Sequence, residues 1–152
     1  MQIVSSYITL NFYSKFWKYF NFYEKIIAVI IYLFFEITYT LTTIMDPGII
    51  TSDYYLENYD IQKMKIKNYR ICRNCNIIMD LDKGVEHCTY CNICIIGNDH
   101  HCPWTSKCVG KKNIIMFRAF VVSLLLQFMS LFINSIFVSI NIKQIKKMKK
   151  NN

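Results

Sequence analysis

The sequence predicts an α-helical integral membrane protein with a small, loop-rich, cysteine-rich domain between two transmembrane helices, and three observations predict it. The 152 residues are 53% apolar and 16% aromatic with four glycines and two prolines. That composition excludes a disordered or collagen-like chain. The apolar residues fall in two long blocks rather than at core periodicity. All seven cysteines lie between Cys72 and Cys108 and all three histidines between His87 and His101, so ten metal-ligand candidates occupy 37 residues. The net charge of +8, from 18 Lys/Arg against 10 Asp/Glu, would alone permit a nucleic-acid binder. The segregated apolar blocks favour membrane insertion instead.

In chain order, residues 1–25 form an N-terminal segment that is apolar enough to enter lipid but covers only about 20 Å before Lys15 and Lys18, and reads as a truncated span. It has neither the basic start nor the small-residue cleavage site of a signal peptide. Residues 26–45 (IIAVIIYLFFEITYTLTTIM) carry one ionisable side chain over about 30 Å of helix, the thickness of a hydrocarbon core, and are predicted to span it. Glu36 lies mid-span, where a charge costs about 2.5–3.5 kcal/mol, so it is expected to contact another helix or to be protonated. Asp46-Pro47-Gly48 ends the helix. Residues 46–71 are a polar connector, with Asp53–Lys67 expected near the membrane surface. Residues 72–113 hold the ligand cluster, 114–140 a second span, and 141–152 a basic tail.

The cluster contains three two-residue spacings, Cys72-x2-Cys75, Cys88-x2-Cys91 and Cys91-x2-Cys94. Such a turn aims two thiolates at one ion, and zinc takes four ligands in a tetrahedron. Two Cys3His sites would use six cysteines and two histidines and leave one of each. His87 and Cys88 are adjacent, as are His100 and His101, so each pair is expected to divide between destinations. Cys102 and His100, two residues apart, share a face in an extended segment. A thiol beside an imidazole forms a nucleophilic thiolate near neutral pH, and Asp99 can orient the ring. A disulfide framework would leave an unpaired cysteine, a RING module would end in another C-x2-C, and a nucleic-acid finger would want basic residues where Ile77–Glu86 is apolar and acidic. No nucleic-acid partner is expected.

Asp99-His100-His101-Cys102-Pro103-Trp104, with the preceding cysteine array, Asp46-Pro47-Gly48, Cys108-Val109-Gly110, Asn113 and Phe117, resembles the DHHC family of integral-membrane protein S-acyltransferases (palmitoyltransferases). The resemblance implies two structural zinc ions, the first on Cys72, Cys75, His87 and Cys94, the second on Cys88, Cys91, His101 and Cys108. It implies Cys102 as nucleophile, His100 as general base and Asp99 as the residue orienting it. The acyl group would pass from a fatty acyl-CoA such as palmitoyl-CoA to Cys102 and then to a free cysteine of a membrane-associated protein. Trp104 is a candidate lining for the acyl chain, and Lys111, Lys112 and Arg118 are candidate partners for the CoA phosphates; ordinary interfacial anchoring is the competing reading of these cations.

The family pattern also includes at least four spans and a Thr-Thr-x-Glu motif after the third, whereas the expectation here is two spans and a remnant. Eleven residues separate Cys75 from His87, about two more than the pattern, and Lys107 stands where an asparagine is usual. The alternative expectation is therefore a truncated or catalytically silent, zinc-stabilised interaction protein that pairs with an acyltransferase or its substrates. The distribution of basic residues does not decide the orientation, because ten Lys/Arg and eight acids lie between Asp46 and Arg118 while the two ends carry eight lysines. Reduced thiols favour a cytosolic domain, in a multi-pass protein of the endomembrane system or plasma membrane.

Overall fold

The computed structural model describes residues 2–51 and 68–151. The predicted surface connector Asp53–Lys67 lies outside the described residues. Helix α1 (Gln2–Phe16) is followed by a 3-10 turn (Trp17–Tyr19) and α2 (Phe22–Ile44). Among the described residues seven short strands come next: β1 (Ile49–Ile50), β2 (Tyr69–Cys72), β3 (Ile77–Asp80), β4 (Val85–Cys88), β5 (Ile93–Ile96), β6 (His100–Cys102) and β7 (Lys107–Val109). Helix α3 (Ile114–Asn151) closes the described chain. Two compact units result, Met1–Tyr39 with Ala119–Asn152, and Thr40–Arg118.

In the helical unit, α2 begins four residues before the predicted span. Asn21 and Glu24 form a reciprocal capping box: the Glu24 N–H donates to Asn21 Oδ1 at 2.9 Å and the Asn21 N–H to Glu24 Oε2 at 2.8 Å. Helix α3 continues through the predicted tail, because lysine is a good helix former and Lys149 and Lys150 complement the negative end of the helix dipole. Residues 1–25 are largely helical. Their Tyr13 and Phe20 pack with Ala28 and Val138 in one apolar cluster.

Beside its apolar cluster, this unit buries several polar side chains and exposes many large apolar ones. Buried positions include Thr9, Thr38, Ser123 and Gln127, while Ile3, Ile8, Ile30, Leu125 and Phe132 are exposed. The buried polar groups pair between helices: Gln127 Nε2 donates to Thr9 Oγ1 at 2.8 Å, Asn134 Nδ2 donates to the Tyr13 hydroxyl at 2.9 Å, and the Thr38 and Ser123 hydroxyls lie 2.8 Å apart. Glu36 accepts from Gln2 Nε2 at 2.6 Å and from the Ser6 hydroxyl, which supplies the interhelical partner expected for a mid-helix carboxylate. Two helices, Phe22–Ile44 and Ile114–Lys150, are long and apolar enough to cross a membrane. Of their most apolar stretches, 22% and 17% is buried.

The second unit is ordered by strands, where the sequence leads one to expect a loop-rich domain. Its strands form three antiparallel hairpins, β2–β3, β4–β5 and β6–β7, with β1 added to the edge of β5. Each hairpin closes across a four-residue turn, pairing Cys72 with Ile77, Cys88 with Ile93 and Cys102 with Lys107. The last turn residue has positive φ in all three, 52° at Asn76, 54° at Asn92 and 51° at Ser106. Regular pairing is possible in so short a sequence because the repeated turn fixes every register.

The Asp46-Pro47-Gly48 segment packs within this unit against the residues leading into α3. Asp46 Oδ1 accepts from the Gly48 and Ile49 N–H groups, both at 2.9 Å, and Asp46 Oδ2 lies 2.7 Å from Lys112 Nζ. Burial alone would raise the Asp46 pKa, but the Ile49 N–H, the Lys112 ammonium and the Gly48 N–H hold it at about 2. Asn113 caps α3, accepting the Gly110 N–H at 2.8 Å and donating to the Cys108 carbonyl at 3.1 Å. Gly110 sits so close to Pro47 that an added methyl would collide with the Pro47 carbonyl oxygen and lie 2.7 Å from Ile95 Cγ2. Gly110→Ala is accordingly expected to destabilise this unit by about 1–3 kcal/mol, seen as a lowered thermal midpoint for the zinc-loaded protein.

Candidate functional site

The hairpins bring the predicted ligands together by a simple interleaving. Neighbouring residues on a strand point to opposite faces, so His87 and Cys88 on β4 serve different clusters, and of His101 and Cys102 on β6 only His101 joins one. One cluster joins Cys72 and Cys75, from the first turn, to the cross-strand pair His87 and Cys94 of the second hairpin. The other joins Cys88 and Cys91, from the second turn, to the cross-strand pair His101 and Cys108 of the third. In each, the four ligand atoms lie within 4.8 Å of one another.

These clusters meet the geometric requirement of a tetrahedral thiolate and imidazole site. With metal–sulfur and metal–nitrogen bonds of about 2.3 and 2.05 Å, the sulfur to nitrogen edge of the tetrahedron is about 3.6 Å. The three sulfurs of the first cluster stand 3.4, 3.3 and 3.6 Å from His87 Nδ1. Those of the second stand 3.8, 3.3 and 3.5 Å from His101 Nδ1. Burial and the neighbouring thiols push the Cys94 and Cys108 thiols well above the usual range, the crowding of acidic groups that a bound dication relieves. His87 Nε2, the ring nitrogen turned away from the sulfurs, lies 3.2 Å from the Asn74 side-chain amide, and Tyr90 stacks on the His101 ring at 4.9 Å.

Cys102 belongs to neither cluster. It is buried on β6, at the mouth of the third turn. Burial alone would raise its pKa, but the Thr105 hydroxyl and N–H, the His100 ring and the Trp104 N–H overcome that effect and lower it. His100 is half-exposed, and its Nδ1 lies 2.8 Å from Asp99 Oδ2. Burial lowers the His100 pKa, whereas the Asp99 carboxylate and the Cys102 sulfur raise it, and the raising effects win. Phe117 meets the His100 ring edge-on at 5.1 Å. The structure thus gathers Asp99, His100 and Cys102 in one contiguous hydrogen-bonded array.

The remaining predicted residues are placed differently. Trp104 is 57% exposed on the turn beside Cys102. Lys111 and Arg118 are exposed. Lys112 is committed to Asp46, a contact the linear sequence conceals because the two residues are far apart in the chain. Lys107 directs its ammonium to the Thr43 carbonyl at 2.7 Å, at the end of α2. Thr105, which the sequence motifs do not single out, is buried against the nucleophile candidate. The signal that locates it is its offset of three from Cys102, the offset that separates the two cysteines of each C-x2-C turn.

Residues 65–152 match the family model described as DHHC palmitoyltransferase. The chain is 35% identical over 115 residues to palmitoyltransferase ZDHHC8 of Drosophila melanogaster, an alignment covering 68% of this chain and 12% of that protein. It is 29% identical over 121 residues to palmitoyltransferase ZDHHC18-A of Danio rerio, covering 65% of this chain and 26% of the relative. Human palmitoyltransferase ZDHHC8 is 29% identical over 107 residues, covering 62% and 14%. The two Cys3His clusters define a cysteine-rich domain whose ligand sets could hold two metal ions. The chain belongs to the DHHC palmitoyltransferase family. It spans between about an eighth and a quarter of the length of these relatives.

Proposed function

We propose that this protein is a protein-cysteine S-acyltransferase, with Cys102 as nucleophile, His100 as general base and Asp99 holding the His100 ring. The observation that carries the reading is the Asp99–His100 contact of 2.8 Å beside a buried Cys102 on the same strand. His100 takes the Cys102 proton, and the sulfur attacks the thioester carbonyl of a fatty acyl-CoA. A new carbon–sulfur bond forms, the bond to CoA breaks, and the proton passes to the departing CoA sulfur. A cysteine thiol of a substrate protein then gives its proton to His100 and attacks the acyl group, which releases Cys102. Asp99 stabilises the imidazolium formed in each half-reaction and fixes which ring nitrogen faces Cys102.

Cys72, Cys75, His87 and Cys94 would hold one zinc ion, and Cys88, Cys91, His101 and Cys108 the other. These ions supply folding free energy and fix the positions of the hairpins. Helices α2 and α3 are proposed to span the membrane, with α1 beside them in lipid, and residues 72–113 to form a cytosolic zinc domain. The helical unit supports the spanning helices, since its many exposed apolar side chains suit lipid and buried polar groups such as Gln127 Nε2 and Thr9 pair between helices. Placing the nucleophile at the lipid boundary keeps a long acyl chain out of water, at about 0.8 kcal/mol for each buried CH2. Trp104 lies on the chain's proposed route, and Lys111 and Arg118 remain the cations for CoA phosphates, Lys112 being paired with Asp46.

The test is incubation of detergent-solubilised protein with labelled palmitoyl-CoA. Covalent label released by neutral hydroxylamine is the expected result. Protein with intact zinc content but no label would overturn the reading and favour a zinc-stabilised interaction protein.

A further inference from the structure

The three hairpin turns are one structural unit used three times. In the first two, residues one and four are the paired cysteines, Cys72 with Cys75 and Cys88 with Cys91. In each, the first sulfur accepts backbone N–H bonds from the third and fourth residues, Asn74 and Cys75 for Cys72, Tyr90 and Cys91 for Cys88. The third turn repeats the closing pair, the turn length, the positive φ at its last residue and the same two N–H donors, here Trp104 and Thr105. At the fourth position Thr105 stands where a metal-binding thiol stands twice before. Its hydroxyl is buried and lies 3.4 Å from the Cys102 carbonyl.

We propose that Thr105 occupies the second-ligand position of a third knuckle turn, and that its hydroxyl, in place of a thiolate, keeps Cys102 free of metal and available for acyl transfer. The inference rests on the assignment of Cys102 as nucleophile. The turn aims the Cys102 sulfur as it aims a zinc ligand, with His100 already hydrogen-bonded to that sulfur. A thiolate at position 105 would therefore face an ion together with Cys102 and His100, a three-ligand site of the open kind. A neutral hydroxyl is a poor zinc ligand beside thiolates and imidazoles. Thr105 is a positioning residue, because it acts on the acyl group only through Cys102.

The experiment measures zinc content and acyl labelling of the full chain, purified under reducing conditions. Thr105→Cys is expected to rise from about two to about three zinc ions per chain, and to lose at least tenfold of its acyl label. A mild chelator should remove the third ion and restore the label. Thr105→Ser should stay at about two ions, and the double variant Thr105→Cys with Cys102→Ser should return to about two. Substituting cobalt adds a spectroscopic check, since thiolate-to-cobalt charge transfer should increase only in Thr105→Cys. Zinc remaining at two in folded Thr105→Cys would overturn the proposal, whatever happens to the label. Absence of label from the unaltered protein would instead defeat the acyltransferase reading and leave the metal count informative.

Discussion

Cys102→Ser should reduce acyl labelling by at least about a thousandfold while leaving zinc at about two ions per chain. The size of the effect follows from chemistry: a serine hydroxyl at this position lacks the thiolate that attacks the thioester, and His100 with Asp99 cannot replace it. Zinc retention follows from the architecture, because Cys102 lies outside both four-ligand clusters although its neighbour His101 lies within one. His100→Ala should lower the labelling rate by about 10²–10⁴-fold without changing zinc content, the range that general base catalysis contributes. Labelling time courses and zinc analysis on the same preparations check both expectations. Label retained in Cys102→Ser would sink the nucleophile assignment, and zinc lost from that variant would mean that Cys102 takes part in a metal site.

Replacing a cluster cysteine should produce the opposite pattern. Cys72→Ser or Cys108→Ser is expected to release zinc and unfold the second unit. Apparent zinc-binding free energies in small finger domains are about 10–16 kcal/mol, comparable with the whole stability of an ordinary domain at about 5–15 kcal/mol. The hairpins alone bury few apolar residues, chiefly Ile50, Ile77, Val85 and Ile95. Short hairpins that share so small an apolar core are marginal in water, so the ions would carry most of the folding free energy. The interleaving sharpens the prediction: His87 with Cys94 and Cys88 with Cys91 belong to one hairpin and serve different clusters. Loss of either ion should loosen the second hairpin and thereby disturb the other site. Release of both ions from each single variant, followed with a colorimetric zinc indicator alongside proteolysis, is the expected result. Release of one ion with the remaining unit intact would show that the clusters are independent.

The candidate ligand clusters are legible in the sequence because ligand arithmetic is local. Seven cysteines and three histidines exceed the needs of two tetrahedral sites by one of each, and the i, i+2 spacing of His100 and Cys102 identifies a pair that one strand presents on one face. The division of His87 from Cys88 follows from the same alternation. The helices are legible from apolar length alone, while their ends are not. The Asn21–Glu24 capping box moves the start of α2 upstream, and the lysines after Ile140 extend α3 instead of ending it. The strands escape a sequence reading because two to four residues are too few for an alternation to register, and six of the seven described are set in register by a hairpin turn. The Asp46–Lys112 ion pair and the burial of Thr105 depend on tertiary packing and cannot be read from spacing without the repeated turn as a guide.

The most direct measurement of the central claim is peptide mapping of the acyl adduct formed when zinc-loaded, full-length protein meets palmitoyl-CoA. The account predicts a single hydroxylamine-labile adduct on the peptide that carries Cys102, in protein that retains about two zinc ions per chain. An adduct confined to another cysteine, or to a hydroxylamine-resistant oxygen or nitrogen, would contradict it.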